Sequence, residues 1–195
     1  MGDYGAVADV GETLVTLLRD NMSDLINPNS IVLLSPAEVE DQNIRLTLFL
    51  YSIMDNPHLK NQEMRHISPT QLGYPPLTLD LYYLLTAHSP AQNMDSMLEE
   101  HRILGRAMRV FYDNSILSGT ILQGSLQGTS EELRIVLNPI SLDDLTKIWS
   151  AFQEIGYKLS ISYLVTPVNI DSLRDMSMQR VVSKEIDHSF MVPNK

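Results

Sequence analysis

Residues 76–114 read PLTLDLYYLLTAHSPAQNMDSMLEEHRILGRAMRVFYDN, and this stretch decides the fold that the sequence predicts. Its first part alternates in a two-residue period, which is typical of a β-strand. Both sides of that strand are largely apolar, so we expect it to lie inside a sheet with both faces covered. His88, Ser89 and Pro90 end the strand, because proline supplies no ladder hydrogen bond. The two sides consist of Leu79, Leu81, Tyr83 and Leu85, and of Asp80, Tyr82, Leu84 and Thr86.

The second part of the stretch predicts an amphipathic helix that ends at Asp113 and Asn114. Asp95 or Ser96 is predicted to cap its start by accepting a hydrogen bond from a free backbone N–H group. Four apolar residues and a histidine recur at spacings of four and three, which places them on one inward-facing stripe, where His101 is predicted to be a core or interface histidine. This predicted inward stripe consists of Met97, His101, Leu104, Met108 and Phe111.

The rest of the chain predicts further helices and strands around this unit. Apolar residues at helical spacing predict a helix within residues 5–26, and Ser141 is predicted to cap another that ends at Gly156. The fold class is therefore α+β, a single domain with a mixed or antiparallel central sheet packed by about three helices. The later helix has the predicted inward stripe Leu142, Leu145, Ile148, Trp149 and Phe152. Further strands are predicted at residues 31–34, 44–53, 133–137 and 157–166.

Two segments lack a sustained hydrophobic period. Residues 55–76 contain four prolines and are predicted to form a long loop, in which a short hairpin around Asn61 is conceivable. Loops of roughly 20 residues are uncommon in compact domains and are usually functional. Residues 169–195 are predicted to form an extended tail, which leaves residues 1–168 as the folded domain.

Composition limits the function classes. The 195 residues are 44% hydrophobic and 19% charged, which is typical of a globular chain. We find no apolar run of the roughly 18 to 20 residues that span a bilayer and no signal-peptide pattern, so we expect cytoplasmic synthesis. The absence of cysteine excludes disulfides, thiolate nucleophiles and sulfur-ligated metals. A formal net charge of −10 disfavours nucleic acid as a partner.

The sequence contains no recognisable catalytic or metal-binding constellation. Its five histidines are scattered, and none forms the i, i+4 pair with an intervening glutamate that binds zinc. Gly119 and Gly124 have the spacing of a phosphate-binding loop, but Ser125 follows where that loop needs lysine. Adjacent acidic pairs are better explained by helix capping or solvation. We therefore predict neither an enzyme nor a cofactor.

Four segments carry a family resemblance through their order and spacing: LYYLLTAHSP, LEEHRILGRAMRVFYDN, ELRIVLNPISLDDLTKIWSAF and YKLSISYLVTPV. Over residues 5–168 the chain resembles the cap, or tail-terminator, proteins of extracellular phage-tail-like contractile injection systems. The Photorhabdus virulence cassette and the antifeeding prophage typify that group. The resemblance implies a structural component of a released or cell-associated particle, without catalytic residues.

The resemblance also implies a mode of assembly. The protein is expected to form a ring, six-fold in this family, on the baseplate-distal end of the inner tube, to end polymerisation and to hold the sheath. Its implied partners are further copies, the inner tube protein and the sheath protein, with neither nucleic acid nor membrane. The alternative is a non-enzymatic adaptor or cargo chaperone associated with such a particle.

Contacts with these partners are predicted at strand edges, in the 55–76 loop and in the tail. An unpaired strand edge can accept an extended arm from a partner as an added strand. The candidate edges are the strands predicted at residues 44–53 and 157–166, and the tail is a candidate arm. The candidate partner-binding residues are Leu48, Leu50, Arg65, His66, Tyr74, Ile161, Tyr163, Val181 and Val182.

Overall fold

A computed structural model describes residues 3–60, 62–90, 93–152 and 155–177. Among these described residues, those up to 60 and those from 76 to 171 form a main unit, and residues 62–75 with 172–177 form a small unit. The helices are α1 (Ala6–Met22), α2 (Met94–Asp113) and α3 (Leu142–Ser150). The strands are β1 (Ile31–Leu33), β2 (Leu46–Asp55), β3 (Arg65–Ser68), β4 (Gln71–Gly73), β5 (Leu77–Ala87), β6 (Ile116–Ser118), β7 (Glu132–Leu137), β8 (Ser160–Ile170) and β9 (Asp175–Ser177).

The main unit is built on a six-stranded mixed sheet in the order β1-β2-β5-β8-β7-β6. Strand β1 runs parallel to β2, and every other neighbouring pair is antiparallel. Strand β5 lies between β2 and β8 and is buried along almost its whole length. This confirms both the predicted α+β class and the prediction that residues 79–86 form an interior strand.

Helices cover both faces of this sheet. Helices α1 and α2 pack on the first face, where side chains such as Leu81, Tyr83 and Val165 belong to the main hydrophobic core. Helix α3 packs on the second face through Leu145 and Trp149, which contact Leu84 of β5. Full burial of one such apolar side chain stabilises the fold by about 1.5–3 kcal/mol. The two-sided cover explains why β5 is apolar on both of its sides.

The inward stripe predicted for α2 is wrong at three of its five positions, because Met97, His101 and Met108 are exposed. At about 100° per residue, the buried stripe is rotated by roughly 80° from the predicted one. Only Leu104 and Phe111 belong to both stripes. The buried residues of α2 are Ile103, Leu104, Ala107, Val110 and Phe111.

Helix caps correct one prediction and confirm another. Asn93, not Asp95 or Ser96, caps α2, because its side chain accepts a hydrogen bond from the Ser96 N–H at 2.9 Å. The predicted cap of α3 is confirmed, since the Ser141 hydroxyl accepts from the Asp144 N–H at 3.1 Å.

The extent and the stripe of α3 differ from the prediction. The helix ends at Ser150 and does not reach Gly156. Leu142 is 70% exposed. It lies at the margin of the α3 stripe, roughly 70° from the stripe's centre, so it does not face the sheet.

The small unit is a three-stranded antiparallel sheet in the order β3-β4-β9. It shows that the predicted 55–76 loop contains a hairpin, whose turn lies at residues 69–70. The hairpin considered around Asn61 is therefore misplaced, and Asn61 itself lies outside the described residues. Within the predicted tail, β8 continues to Ile170 and residues 175–177 form β9. Residues 178–195, with Val181 and Val182, lie outside the described residues, and the domain boundary at 168 stays a prediction.

The connection between β6 and β7 is attached to α1 by the Asp9 carboxylate. Asp9 Oδ2 accepts hydrogen bonds from the Ser125 N–H at 2.9 Å and from the Ser125 hydroxyl. Gly124 precedes this contact with a φ of 59°, in the left-handed region. A Cβ on Gly124 would collide with the Asp9 carboxylate. Glycine is therefore required here both by the backbone conformation and by the close approach of α1.

The Gly124→Ala variant is expected to lower the free energy of unfolding by about 2–3 kcal/mol, because backbone strain adds to the loss of the Asp9 contact. Gly119→Ala is the matched control, since Gly119 has a φ of 63° and nothing within 4 Å of its Cβ position. Strain alone predicts a loss of about 1 kcal/mol there. Urea denaturation measures both losses, and equal losses would contradict the role given to Asp9.

Candidate assembly surfaces

The two end strands of the main sheet are short and leave parts of their neighbours uncovered. Strand β1 pairs only with residues 46–48 of β2. Strand β6 pairs only with residues 132–134 of β7, and the Ser115 carbonyl extends this cover to the Ile135 N–H. Within the described chain, residues 50–55 of β2 and 136–137 of β7 therefore have no strand on their outer sides. Uncovered strand edges are sites where another chain can pair.

Residues 50–55 form the first uncovered surface, which we call the β2 edge. The Asn56 N–H donates inward to the Thr78 carbonyl at 2.9 Å. Because backbone groups alternate in direction along an antiparallel strand, those of Ile53 and Asp55 point outward. The Ile53 side chain is 50% exposed. The edge borders an open depression of about 630 Å³ that is lined by Ile53, Met54, Asp55, Pro57, His58, Asp80 and Tyr82.

A buried polar network fixes the end of the β2 edge to the sheet. Asn56 Nδ2 donates to Asp80 Oδ1 at 2.9 Å and to Thr166 Oγ1 at 3.3 Å. The Thr166 hydroxyl also donates to Asp80 Oδ1. The Asp80 carboxylate is thus satisfied by hydrogen bonds from two other segments, as a buried polar group requires. We assign this carboxylate a structural role in holding the β2 edge.

The second uncovered surface is an apolar groove of about 450 Å³ between the end of α2 and β7, which we call the α2–β7 groove. The Asn138 N–H donates inward to the Ser162 carbonyl at 2.9 Å, so the backbone groups of Leu137 point outward by alternation. Among the described residues, Arg109 forms no salt bridge. The groove is lined by Met108, Arg109, Phe111, Tyr112, Ser115, Ile135, Val136, Leu137 and Tyr163.

The sequence did not single out Arg109, Tyr112 or Leu137 as groove residues. Tyr112 is 83% exposed, and Leu137 is 48% exposed at the end of its strand. Two features of the sequence hint at these residues. Tyr112 is an aromatic residue outside the predicted inward stripe of α2, and the adjacent apolar residues Val136 and Leu137 stand shortly before Pro139. Neither signal identifies a groove unless the two elements are known to be neighbours.

The structure corrects one of the two candidate edges. Strand β8, which contains most of the predicted strand 157–166, has β5 on one side and β7 on the other, so it is an interior strand. The side chains of Leu48 and Tyr163 are buried in the core, whereas Leu50 and Ile161 are half-buried. Of these four, only Leu50 lies on an uncovered edge. Their role in binding partners stays a prediction.

The candidate residues of the small unit lie on or beside its short strands. Arg65 and His66 are exposed on β3, which is an end strand of this sheet. Tyr74 is half-buried, with the Arg174 guanidinium 4.2 Å from its ring centroid in a cation–π contact. The Tyr74 N–H also donates to the Arg174 carbonyl at 3.2 Å. Arg65 and His66 are therefore accessible to a partner, while Tyr74 already has a contact within the unit.

His88 is buried where strands β2, β5 and β8 meet. Its Nε2 atom lies 2.9 Å from Thr47 Oγ1, and its Nδ1 atom lies 3.3 Å from Lys158 Nζ. Burial and then the positive charge of Lys158 lower the pKa of His88 from 6.5 to about 4. The neutral ring fits these contacts, since Nδ1 accepts from the ammonium and Nε2–H donates to the hydroxyl. The imidazole therefore links the strands.

The described residues hold neither a cluster of metal ligands nor a membrane-spanning helix. No group of three histidine, aspartate or glutamate side chains in that part of the chain converges to hold a metal ion. No helix there is both long and apolar enough to cross a membrane.

Solved structures of other proteins share this fold. The sheath/tube terminator of the PVC extracellular contractile injection system, in its extended state, matches with a TM-score of 0.65 and 19% identity over 96% of this chain. The tube-terminating cap of the anti-feeding prophage matches with a TM-score of 0.64 and 20% identity over 93% of this chain. The fold is therefore that of the tube terminators of contractile injection systems. The chain spans 65% and 61% of the lengths of these two proteins.

The sequence matches a family over most of its length. The chain belongs to the Pvc16 N-terminal domain family, which it matches over residues 9–184. No curated protein sequence is significantly similar to it. The family and the fold confirm the resemblance stated from the sequence.

Proposed function

We propose that this protein is a structural, non-enzymatic cap that ends the inner tube and the sheath of a contractile injection system. The observation that carries the proposal is the fold match to a sheath/tube terminator over 96% of the chain, with a TM-score of 0.65. Membership of the Pvc16 N-terminal domain family supports it independently of the structural comparison.

The cap acts as a hexameric ring on the baseplate-distal end of the inner tube, where it stops tube polymerisation and anchors the sheath. Two different uncovered surfaces on one sheet support ring formation, since such surfaces suit a head-to-tail contact that closes by rotation. The partners of the ring are the inner tube protein and the sheath protein. Copies are made and assembled in the cytoplasm and become part of a particle that acts outside the cell or at its surface.

The small unit and the tail supply contacts with tube and sheath in this proposal. The end strand β3 carries the exposed Arg65 and His66, where a partner's arm can add a strand. The tail is defined as residues 169–195 after a domain at 1–168, and its Val181 and Val182 are candidates for pairing with a neighbour. Truncation after Val168 tests the tail, because unchanged sheath attachment would remove it from this role.

Removing this protein from an assembling particle is expected to replace uniform tubes with a broad distribution that includes overlong and ragged ones. The reason is that an uncapped tube end continues to accept subunits. Electron microscopy of particle lengths, with and without the chain, measures the effect, and re-supplying the wild-type chain should restore uniformity. Identical length distributions would contradict the proposal and favour the adaptor or cargo chaperone.

A further inference from the structure

We infer that the ring closes by docking the β2 edge of one copy into the α2–β7 groove of the next copy. This inference rests on the proposed function and names the contact that builds its ring. The occupant of the groove is thus a second copy of this chain. Four features of the main unit support it: the position of the two surfaces, their backbone groups, their side chains and their charge.

The two surfaces lie at opposite ends of the six-stranded sheet. Among the described residues, no strand covers residues 50–55 on the outer side of β2 or residues 136–137 on the outer side of β7. Because the two surfaces lie at opposite ends of the sheet, a single two-fold contact between two copies cannot use both of them at once. Repeated pairing of the two gives a head-to-tail assembly, which closes into a ring when the rotation allows.

Backbone groups on both surfaces are available for pairing. Ile53 and Asp55 direct their N–H and C=O groups outward on one side, and Leu137 does so on the other. Pro139 lacks an N–H group and follows Leu137 closely, so the ladder between copies is short. Such a short ladder sets the register of the contact, and side-chain burial must supply most of its stability.

The side chains of the two surfaces match in direction. Ile53 lies opposite Leu81 of β5, and Leu137 lies opposite Tyr163 of β8. Leu81 and Tyr163 both belong to the core on the first face, which is the face that α1 and α2 cover. When the sheet continues from one copy to the next, Ile53 therefore enters the groove beneath the end of α2. There it meets the exposed apolar parts of Tyr112 and Leu137.

Charge favours an acidic occupant of the groove. Arg109 lines the groove and makes no salt bridge within the described ranges. The β2 edge ends in Asp55, whose contact with Lys60 at 2.7 Å is exposed. Exposed ion pairs contribute little, typically about 0–1 kcal/mol, so Asp55 can exchange Lys60 for Arg109 at low cost. Although the chain has a net charge of −10, it contributes a cation, Arg109, to the contact between two of its copies.

The test uses two variants of the full chain, Ile53→Lys for the β2 edge and Leu137→Lys for the groove. Each changes a half-exposed side chain, and lysine opposes pairing at a strand edge. Each variant alone is expected to lower the association constant about a hundredfold and to stay monomeric. Leu142→Lys is the matched control, because it places the same charge at an exposed position of α3 and should leave the ring intact.

Mixing the two variants distinguishes this contact from all symmetric ones. Each variant keeps one intact surface, so an equimolar mixture is expected to form dimers and nothing larger in native mass spectrometry. Rings from either variant alone, dimers from one variant alone, or a mixture that stays monomeric would overturn the inference. Circular dichroism checks folding, and Tyr112→Ser provides a second groove variant at an 83% exposed residue.

The same variants separate failure of the inference from failure of the proposed function. Deletion of the chain that leaves particle lengths unchanged removes the terminator role, whatever oligomer the purified chain forms. Overlong tubes after deletion, restored to uniform length by Ile53→Lys and by Leu137→Lys, keep the terminator role and overturn the docking contact. Restoration by Leu142→Lys but by neither edge nor groove variant supports both.

Discussion

The Phe111→Ala variant is expected to lose about 3–5 kcal/mol of unfolding free energy, a larger loss than that expected for Gly124→Ala. Phe111 is fully buried and joins α2 to β8, where its ring meets the Tyr163 ring edge-on at 4.9 Å between centroids. Truncation to alanine removes this aromatic contact and leaves a cavity between helix and sheet. Guanidinium denaturation monitored by circular dichroism measures the loss.

Two substitutions calibrate the Phe111 result. Phe111→Leu keeps most of the volume and is expected to cost about 1–1.5 kcal/mol. Met108→Ala changes an exposed residue on the same helix and is expected to stay within about 0.5 kcal/mol of the wild type. A Phe111→Ala loss near that of Met108→Ala would mean that α2 is not held on the sheet by this side chain.

The fold was most predictable where a single element carries its own pattern. Strand β5 alternates two apolar sides over residues 79–86, and both sides are covered in the structure because helices pack on both faces of the sheet. The Ser141 cap was also predictable, since its partner is only three residues away. Local signals of this kind do not depend on which elements become neighbours.

Predictions failed where two local patterns compete. In α2, Leu104 and Phe111 fit two possible stripes, and the sequence spacing selected the one that contains Met97, His101 and Met108. The structure selects the stripe that includes Ala107, which is fully buried in the core. Which stripe is buried depends on the sheet beneath the helix, and that information is not local.

Sheet edges were the least predictable part of the candidate surfaces. Strand β8 becomes an interior strand only because β7 pairs beside it, and the β2 edge exists only because β1 is three residues long. In the small unit, β4 pairs with β9 across about a hundred residues of sequence, which no local pattern indicates. The α2–β7 groove is equally hard to predict, because it forms only where the end of a helix and the end of a strand become neighbours in space.

The second large effect is a loss of stability on acidification. Between pH 6.5 and about pH 4, His88 is expected to remove about 3 kcal/mol from the unfolding free energy. The pKa of His88 is lower in the folded chain than the 6.5 of an unfolded one, so on acidification the unfolded state binds a proton first. Stability from this group is therefore complete above pH 6.5 and is lost as the pH falls towards about 4. Denaturation curves recorded at steps of half a pH unit measure the slope of the unfolding free energy against pH.

The contacts of the His88 ring explain why its protonation destabilises the fold. A proton on Nδ1 would replace the lone pair that accepts from Lys158 and would set two positive charges 3.3 Å apart in a buried place. Arg45 adds a third cation nearby, with its Nε donating to the His88 carbonyl at 2.9 Å, although Glu99 pairs with that guanidinium at 2.8 Å. Glu40 and Asp41 line the adjacent cavity and provide the only other acidic charge among the described residues that line it.

Acid also affects the stability of the fold through other groups, so the His88 contribution must be isolated by difference. His88→Gln keeps a polar side chain of similar length, and its stability should fall less steeply than that of the wild type between pH 6.5 and about pH 4, even where the substitution lowers stability at neutral pH. His66→Gln is the matched control, because His66 is exposed on β3 and its replacement should leave the slope unchanged. Equal slopes in the wild type and in His88→Gln would show that the acid sensitivity comes from other groups, and that the strands meeting at His88 tolerate its charge.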